Sequence, residues 1–296
     1  MPDHIVNWMV SYLSGRDHCT KYNGEISSAA SINASVVQGS ALGPLAFLIC
    51  SSDLRAKTPG NKILKYADDS YLLVPACNSN SIPDELNQIG LWADSNNLKL
   101  NNSKSQELVV CKKGTDHKIW PPQTPGIERV QVLEVLGVFL QSDLSFSAHI
   151  KSAVTKGNQC LYALKTLKAH GMSDGPLFDV ARSTLIPSLT YASPAWWGFA
   201  SAGDKSMLQA VLNKAMRWGL YGGKHPLELA TVCDTADMDL FKKVIRDSNH
   251  VLYNLLPPKK THGYNLRTRP HQHVLPIKNV FANKNFLDRM LYVDMY

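Results

Sequence analysis

The sequence predicts an α+β fold with a mixed first half and a helical second half. Three observations carry this. Short β-rich runs, separated by turn residues, recur up to about residue 142. From 146 to about 256 apolar residues recur at helical spacing instead. The last stretch, 257–296, is basic and studded with prolines, histidines and aromatics. The expected organisation is therefore a mixed domain over 1–145, a helical region over 146–256 and a C-terminal tail over 257–296.

The elements follow in order. Ile5, Trp8, Met9, Tyr12 and Leu13 share one helical face, so residues 4–14 form a helix ending at Ser14-Gly15. Tyr22-Asn23-Gly24 is a hairpin signal within 18–37. A Gly/Pro-punctuated loop over 38–44 leads into an apolar helix from Leu45 to Leu54. Lys62–Lys65 and Ser70–Val74 form a second hairpin. Residues 82–98 form a helix, with Leu86, Ile89, Trp92 and Ala93 on one side. Short strands at 98–100 and 108–111 precede the breaker cluster 121–126 and a β-rich stretch, Val130 to Leu140. Helices follow over 147–170, 176–192, 204–219 and within 227–256.

Hydrophobic content of 44% and charged content of 19% are globular values. The net charge of +7 suits a polyanionic partner, though many basic proteins bind nothing acidic. Most of the surplus sits in the tail, where Tyr264, Phe281, Phe286 and Tyr292 interleave with the cations. Such a tail either tracks a nucleic-acid strand or is a solvated segment tacked to the helices by its aromatics. Cys19, Cys50, Cys77, Cys111, Cys160 and Cys233 are scattered, with no Cys-x-x-Cys pair. That fits a reducing compartment, nucleus or cytoplasm. No stretch approaches the ~20 apolar residues of a membrane span. His271 and His273 have no cysteine pair beside them and read as solvated or nucleic-acid-facing rather than as ligands.

Tyr66-Ala67-Asp68-Asp69 sits between the two apolar runs of the second hairpin. It places two adjacent carboxylates at a rigid tip, donors suited to holding Mg²⁺ against a nucleotide triphosphate. Alone, Asp-Asp is also a common exposed turn. Upstream lies Gln38-Gly39-Ser40-Ala41-Leu42-Gly43-Pro44. A glycine at 39 lets the backbone approach a flat ligand, and a helix start offers N–H groups to phosphate.

Together the two motifs resemble the palm of reverse transcriptases of non-LTR retrotransposons, in the Jockey/CR1-like group. The heptad resembles that family's Gln-Gly-Ser-x-Leu-Gly-Pro motif, and 66–69 its Tyr-x-Asp-Asp box. Trp92-Ala93 with Leu98-Lys99-Leu100-Asn101 and Lys104-Ser105 resembles the next palm motif, and Leu136-Gly137-Val138 the primer grip. Leu185-Ile186-Pro187, Tyr191-Ala192 and Trp196-Trp197-Gly198 resemble the thumb and its extension. The resemblance implies an incomplete right-hand polymerase palm over 1–145, a helical thumb-like region and a C-terminal extension. It implies an RNA-directed DNA polymerase using two Mg²⁺ ions, an RNA template, a DNA primer and deoxynucleotide triphosphates. Asp68 and Asp69 would be the metal ligands and Tyr66 would seat the primer end. Gln38, Gly39 and Ser40 would line the nucleotide pocket, and Lys104 would be an acid toward pyrophosphate.

The family also carries an aspartate on an earlier strand, and fingers with basic nucleotide-binding residues. Neither is visible here, since Asp3 and Asp17 lie on no β-rich segment. The expectation is a chain that polymerises negligibly by itself. The alternative is a non-catalytic RNA/DNA-binding remnant. RNA-dependent RNA polymerases, with Gly-Asp-Asp, fit less well than the Tyr-Ala-Asp-Asp box.

Overall fold

The computed structural model describes residues 2–32, 39–111, 120–222, 227–260 and 271–293. They form two compact units, Met1–Ser105 with Lys118–Glu128, and Gln106–His117 with Arg129–Tyr296. The change expected at 145 thus falls inside the second unit.

The first unit opens with α1 (Asp3–Leu13), an amphipathic helix that buries none of its residues. Trp8 and Tyr12, one turn apart, stack at 5.4 Å. Strands β1 (Arg16–His18) and β4 (Ala30–Ile32) pair antiparallel and enclose the small hairpin β2 (Lys21–Tyr22) and β3 (Glu25–Ile26). Asn23 and Gly24 between them both have positive φ, as a two-residue hairpin turn requires. Helix α2 (Leu42–Cys50) follows, then the hairpin β5 (Lys62–Tyr66) and β6 (Asp69–Leu73), then α3 (Ile82–Ser95). Among the described residues every sheet is two-stranded, so the antiparallel sheet expected of a palm is represented by separate strand pairs. Residues 98–100, expected as a strand, lie outside the assigned elements.

The second unit begins with β7 (Gln106–Leu108), most of β8 (Glu128–Val130) and the hairpin β9 (Val132–Val135) and β10 (Val138–Gln141). Cys111 N–H donates to the Ser142 carbonyl at 2.9 Å, and Ser142 N–H to that of Gln131 at 3.0 Å. The helices are α4 (Ser147–Ala169), α5 (Asp174–Thr190), α6 (Ser193–Trp196), α7 (Ala202–Arg217), α8 (Leu229–Arg246) and α9 (Phe286–Met290). The four long ones stand where apolar periodicity put them.

One apolar cluster joins Ile150, Leu161 and Leu164 of α4 to Leu185 and Leu189 of α5, Trp196, and Leu208 and Leu212 of α7. Gly157 marks a close crossing of α4 with α5 and α7. A Cβ there would meet Leu189 Cδ2 at 2.8 Å and Val211 Cγ1 at 3.0 Å. Trp196 is fully buried, and its indole N–H donates to the Tyr191 carbonyl at 2.9 Å. The capping box Ser201–Asp204 fixes the start of α7.

A second cluster docks the tail, with Phe241 of α8 against Met290 and Leu291. Here the sequence reading needs correction. His271 and His273 are each 5% exposed, not solvated. His271 Nε2 lies 2.9 Å from the Leu291 carbonyl and His273 Nδ1 2.6 Å from that of Pro257. A backbone carbonyl thus faces one nitrogen of each ring, while His273 Nε2 is buried without a hydrogen-bond partner. Phe281 packs edge-on to Phe199, and Phe286 to Phe241. Tyr264 lies outside the described residues. The tail is therefore held by its aromatics over the part described.

Candidate active site

Tyr66 pairs with Asp69 at the end of the β5–β6 ladder, leaving Ala67-Asp68 as a two-residue turn. Ala67 takes φ +50°. Positive φ at the first turn position matches the right-handed twist of the flanking strands, and alanine's small Cβ limits the strain. Asp68 stands at the tip and Asp69 opens β6, and both are exposed. Neither carboxylate has a hydrogen-bond or ion-pair partner among the described residues.

The hairpin is fixed at its base and side. Glu85 on α3 is fully buried and accepts hydrogen bonds from the Lys57 N–H (3.0 Å), the Thr58 N–H (2.6 Å) and Asn61 Nδ2 (2.9 Å). Asn61 immediately precedes β5. It also donates to Ser81 Oγ and accepts from Asn78 Nδ2. Burial alone would raise the Glu85 carboxyl, but the Lys57, Thr58 and Asn61 hydrogen bonds hold it down at about 2. Lys65, three residues before Asp68, donates to the carbonyls of Ser51 and, at 3.1 Å, Leu54. Trp92 donates to Asp53 at 2.9 Å. These bonds tie β5 and α3 to the turn after α2, so a rigid base carries an open acidic tip.

The other expected site residues are placed as follows. Gly39 has φ +80° and open space where a Cβ would stand. Ser40 Oγ accepts from the Gly43 N–H at 3.0 Å, so its hydroxyl serves the start of α2. Gln38 lies outside the described residues. Tyr66 is 64% exposed. Lys104 sits exposed on the short turn Asn102–Lys104 and makes no ion pair with Asp68 or Asp69. The hairpin thus joins Tyr66, Asp68 and Asp69, while no hydrogen bond links Ser40 or Lys104 to them.

Two exposed, unpaired carboxylates are hard oxygen donors of the kind a divalent cation takes. Among the described residues no group of three or more His, Cys, Asp or Glu converges on a common point. The pair fits part of a metal centre, not the whole of one.

Sequence reasoning missed Glu85 and Lys65. An acid just after Pro83-Asp84 looks like ordinary first-turn charge, and a lysine in an alternating strand looks solvated. It also missed a link between two of its own motifs. The Tyr191 hydroxyl donates to the Leu136 carbonyl at 3.0 Å and its ring lies against Gly137.

Residues 1–140, which contain the whole hairpin, match the family model described as reverse transcriptase (RNA-dependent DNA polymerase). Over these residues, a little under half of the chain, the sequence is similar to reverse transcriptases. It is 26% identical over 230 residues to the probable RNA-directed DNA polymerase from transposon X-element of Drosophila melanogaster, covering 73% of this chain and 25% of that protein. It is 25% identical to the RNA-directed DNA polymerase from mobile element jockey of the same fly, covering 73% and 25%. For the probable polymerase from transposon BS the figures are 25% identity, 70% and 24%. The chain spans about a quarter of the length of these relatives. No solved structure matches it. The non-LTR resemblance read from the palm motifs is borne out. No described helix is long and apolar enough to cross a membrane.

Proposed function

We propose that this chain carries the carboxylate hairpin of an RNA-directed DNA polymerase of a non-LTR retrotransposon, on an incomplete palm followed by a thumb-like bundle. The observation that carries the reading is the exposed Asp68-Asp69 pair, on a braced two-residue turn, within the matched segment. Asp68 and Asp69 would hold Mg²⁺, which when bound supplies charge stabilisation at the reacting phosphate. Asp68, at the tip, is the more central ligand and Asp69 the outer one. Tyr66, beside Asp69 in register, seats the primer end. Gln38, Gly39 and Ser40 line the nucleotide pocket. Lys104 acts as an acid toward departing pyrophosphate. The substrates are an RNA template, a DNA primer and deoxynucleotide triphosphates, and the setting is the nucleus or cytoplasm.

With two carboxylates only, Mg²⁺ keeps most of its waters and is held weakly. By itself the chain is therefore expected to extend primers negligibly. The test is to graft residues 1–140 into the jockey polymerase in place of its matching segment. Primer extension on RNA should be retained, and Asp68→Ala in the graft should cut it by about 10³-fold or more. An Asp68→Ala graft as active as its parent would refute the assignment. The second reading is a non-catalytic RNA/DNA-binding remnant, favoured by the basic second unit. Salt-sensitive binding together with an inactive graft would support it.

A further inference from the structure

At the C-terminal ends of α4 and α7 lies a shallow groove of about 380 Å³, lined by Lys165, Lys168, Ala169, Trp218 and Leu220. Helix α4 carries Lys151, Lys156, Lys165 and Lys168 and no acid in 23 residues. Lys214 and Arg217 stand in the last turn of α7. The nearby carboxylate is Asp174, 3.9 Å from Lys168 Nζ.

Trp218 caps α7 and is 48% exposed. Exposure of a large ring is usual at a loose end, but this ring sits on a fixed frame. The Leu220 N–H donates to the Ala215 carbonyl at 2.9 Å and the Gly219 N–H to that of Met216 at 3.0 Å, closing a Schellman turn. Gly219 takes the left-handed conformation at φ +62°. Leu220 is buried at 1%, and Lys168 Nζ donates to the Gly219 carbonyl at 2.8 Å. Lys165 Nζ stands 5.8 Å from the indole centroid. The ammonium thus lies over one side of the indole at the outer edge of cation–π range, and the ring keeps about half of its surface exposed.

We propose that Trp218 is a stacking site for one unpaired base of single-stranded nucleic acid, with Lys165 and Arg217 holding the adjoining phosphates. A flat π face, held rigid and bordered by cations, is the chemistry that takes a base and its backbone without reading sequence. Lys168, committed to the Gly219 carbonyl and Asp174, positions the frame. The site lies wholly in the second unit and is distinct from the carboxylate hairpin. It rests on the reading that the partner is nucleic acid, not on polymerase activity.

The test is fluorescence anisotropy of the full chain with labelled oligouridylate and oligothymidylate of about ten nucleotides, a length within known site sizes. Titrations at about 50 and 200 mM salt give the phosphate contribution. Trp218→Ala should weaken binding to both oligomers by about 10-fold or more, and Trp218→Tyr by no more than about 3-fold, because a ring is retained. Lys165→Ala should lower the salt slope by about one. The titrations use neither metal nor nucleotide, so an inactive jockey graft would leave this result standing, which separates it from the fate of the polymerase assignment. A Trp218→Ala chain binding as tightly as the parent overturns the proposal. So does a parent chain that binds neither oligomer, or that prefers duplex. Trp218→Tyr and Lys165→Ala leave the core untouched and keep the proposal open to refutation should Trp218→Ala misfold.

Discussion

The first unit holds its hairpin with a buried carboxylate and a few amides. The second closes round an apolar cluster in which Trp196, Leu185 and Leu212 have no exposure at all. In the first unit α1 buries nothing, and Trp8, Leu45, Leu48 and Leu64 stand half exposed. The carboxylate hairpin therefore owes its rigidity to polar bracing at its base. The helical unit owes its rigidity to packing. Polar bracing is short-range and sensitive to pH, whereas a packed core is sensitive to volume.

That contrast can be broken at its strongest point first. Trp196→Ala removes a fully buried ring and should destabilise the second unit by about 3–5 kcal/mol, read by urea unfolding of its helical signal. A loss under about 1 kcal/mol would show that the cluster is not what holds this unit.

Glu85→Gln keeps the shape and removes the charge that accepts three hydrogen bonds. It should cost about 2–3 kcal/mol in the first unit, seen as faster hydrogen exchange at Lys57, Thr58 and the β5–β6 ladder. The pH dependence has a definite sign. Glu85 is held at about 2, below its ordinary 4.5. Its stabilisation is present above about 4.5 and is lost as pH falls toward 2. Protection of the hairpin should fall across that window in the parent chain and stay flat in Glu85→Gln.

The second unit carries the opposite sign. Burial pushes the Asp237 carboxyl up to about 6 from 3.8, although Arg289 Nη2, 2.9 Å from its Oδ2, pulls it down. A raised carboxyl contributes stability below about 3.8 that is lost as pH rises through about 6. The second unit should therefore lose stability as pH rises from about 4 through about 6. Hydrogen exchange of the α8 core and of the hairpin, followed from about pH 2 through about 6, reads both signs in one experiment. Parallel trends would contradict the account.

The smallest effect concerns the α4 crossing. Gly157→Ala gains up to about 1 kcal/mol in helix propensity but drives a methyl into Leu189 and Val211. The net result should be a loss of about 1 kcal/mol, measured by thermal melting.

What could be read from the sequence follows the same divide. The long helices were legible because Ile150, Leu161 and Leu164, or Leu208 and Leu212, repeat a period that packing then uses. The Asn23-Gly24 turn and the hairpin at 62–73 were legible because turn residues interrupt alternating strands. The role of Glu85 was not, since a buried acceptor and a solvated first-turn acid share one sequence pattern. Nor was the burial of His271 and His273, whose partners are carbonyls 16 and 20 residues away. At the candidate site Tyr66, Asp68 and Asp69 were legible as a unit, because they are adjacent. Whether Ser40 and Lys104 join them depends on tertiary placement that no local pattern encodes.

The measurement that bears most directly on the central claim is primer extension on an RNA template by the jockey polymerase carrying residues 1–140 of this chain. The account predicts extension by the graft and a fall of about 10³-fold or more with Asp68→Ala. Extension that survives Asp68→Ala undiminished would contradict it, because the exposed hairpin carboxylate would then have no part in the chemistry.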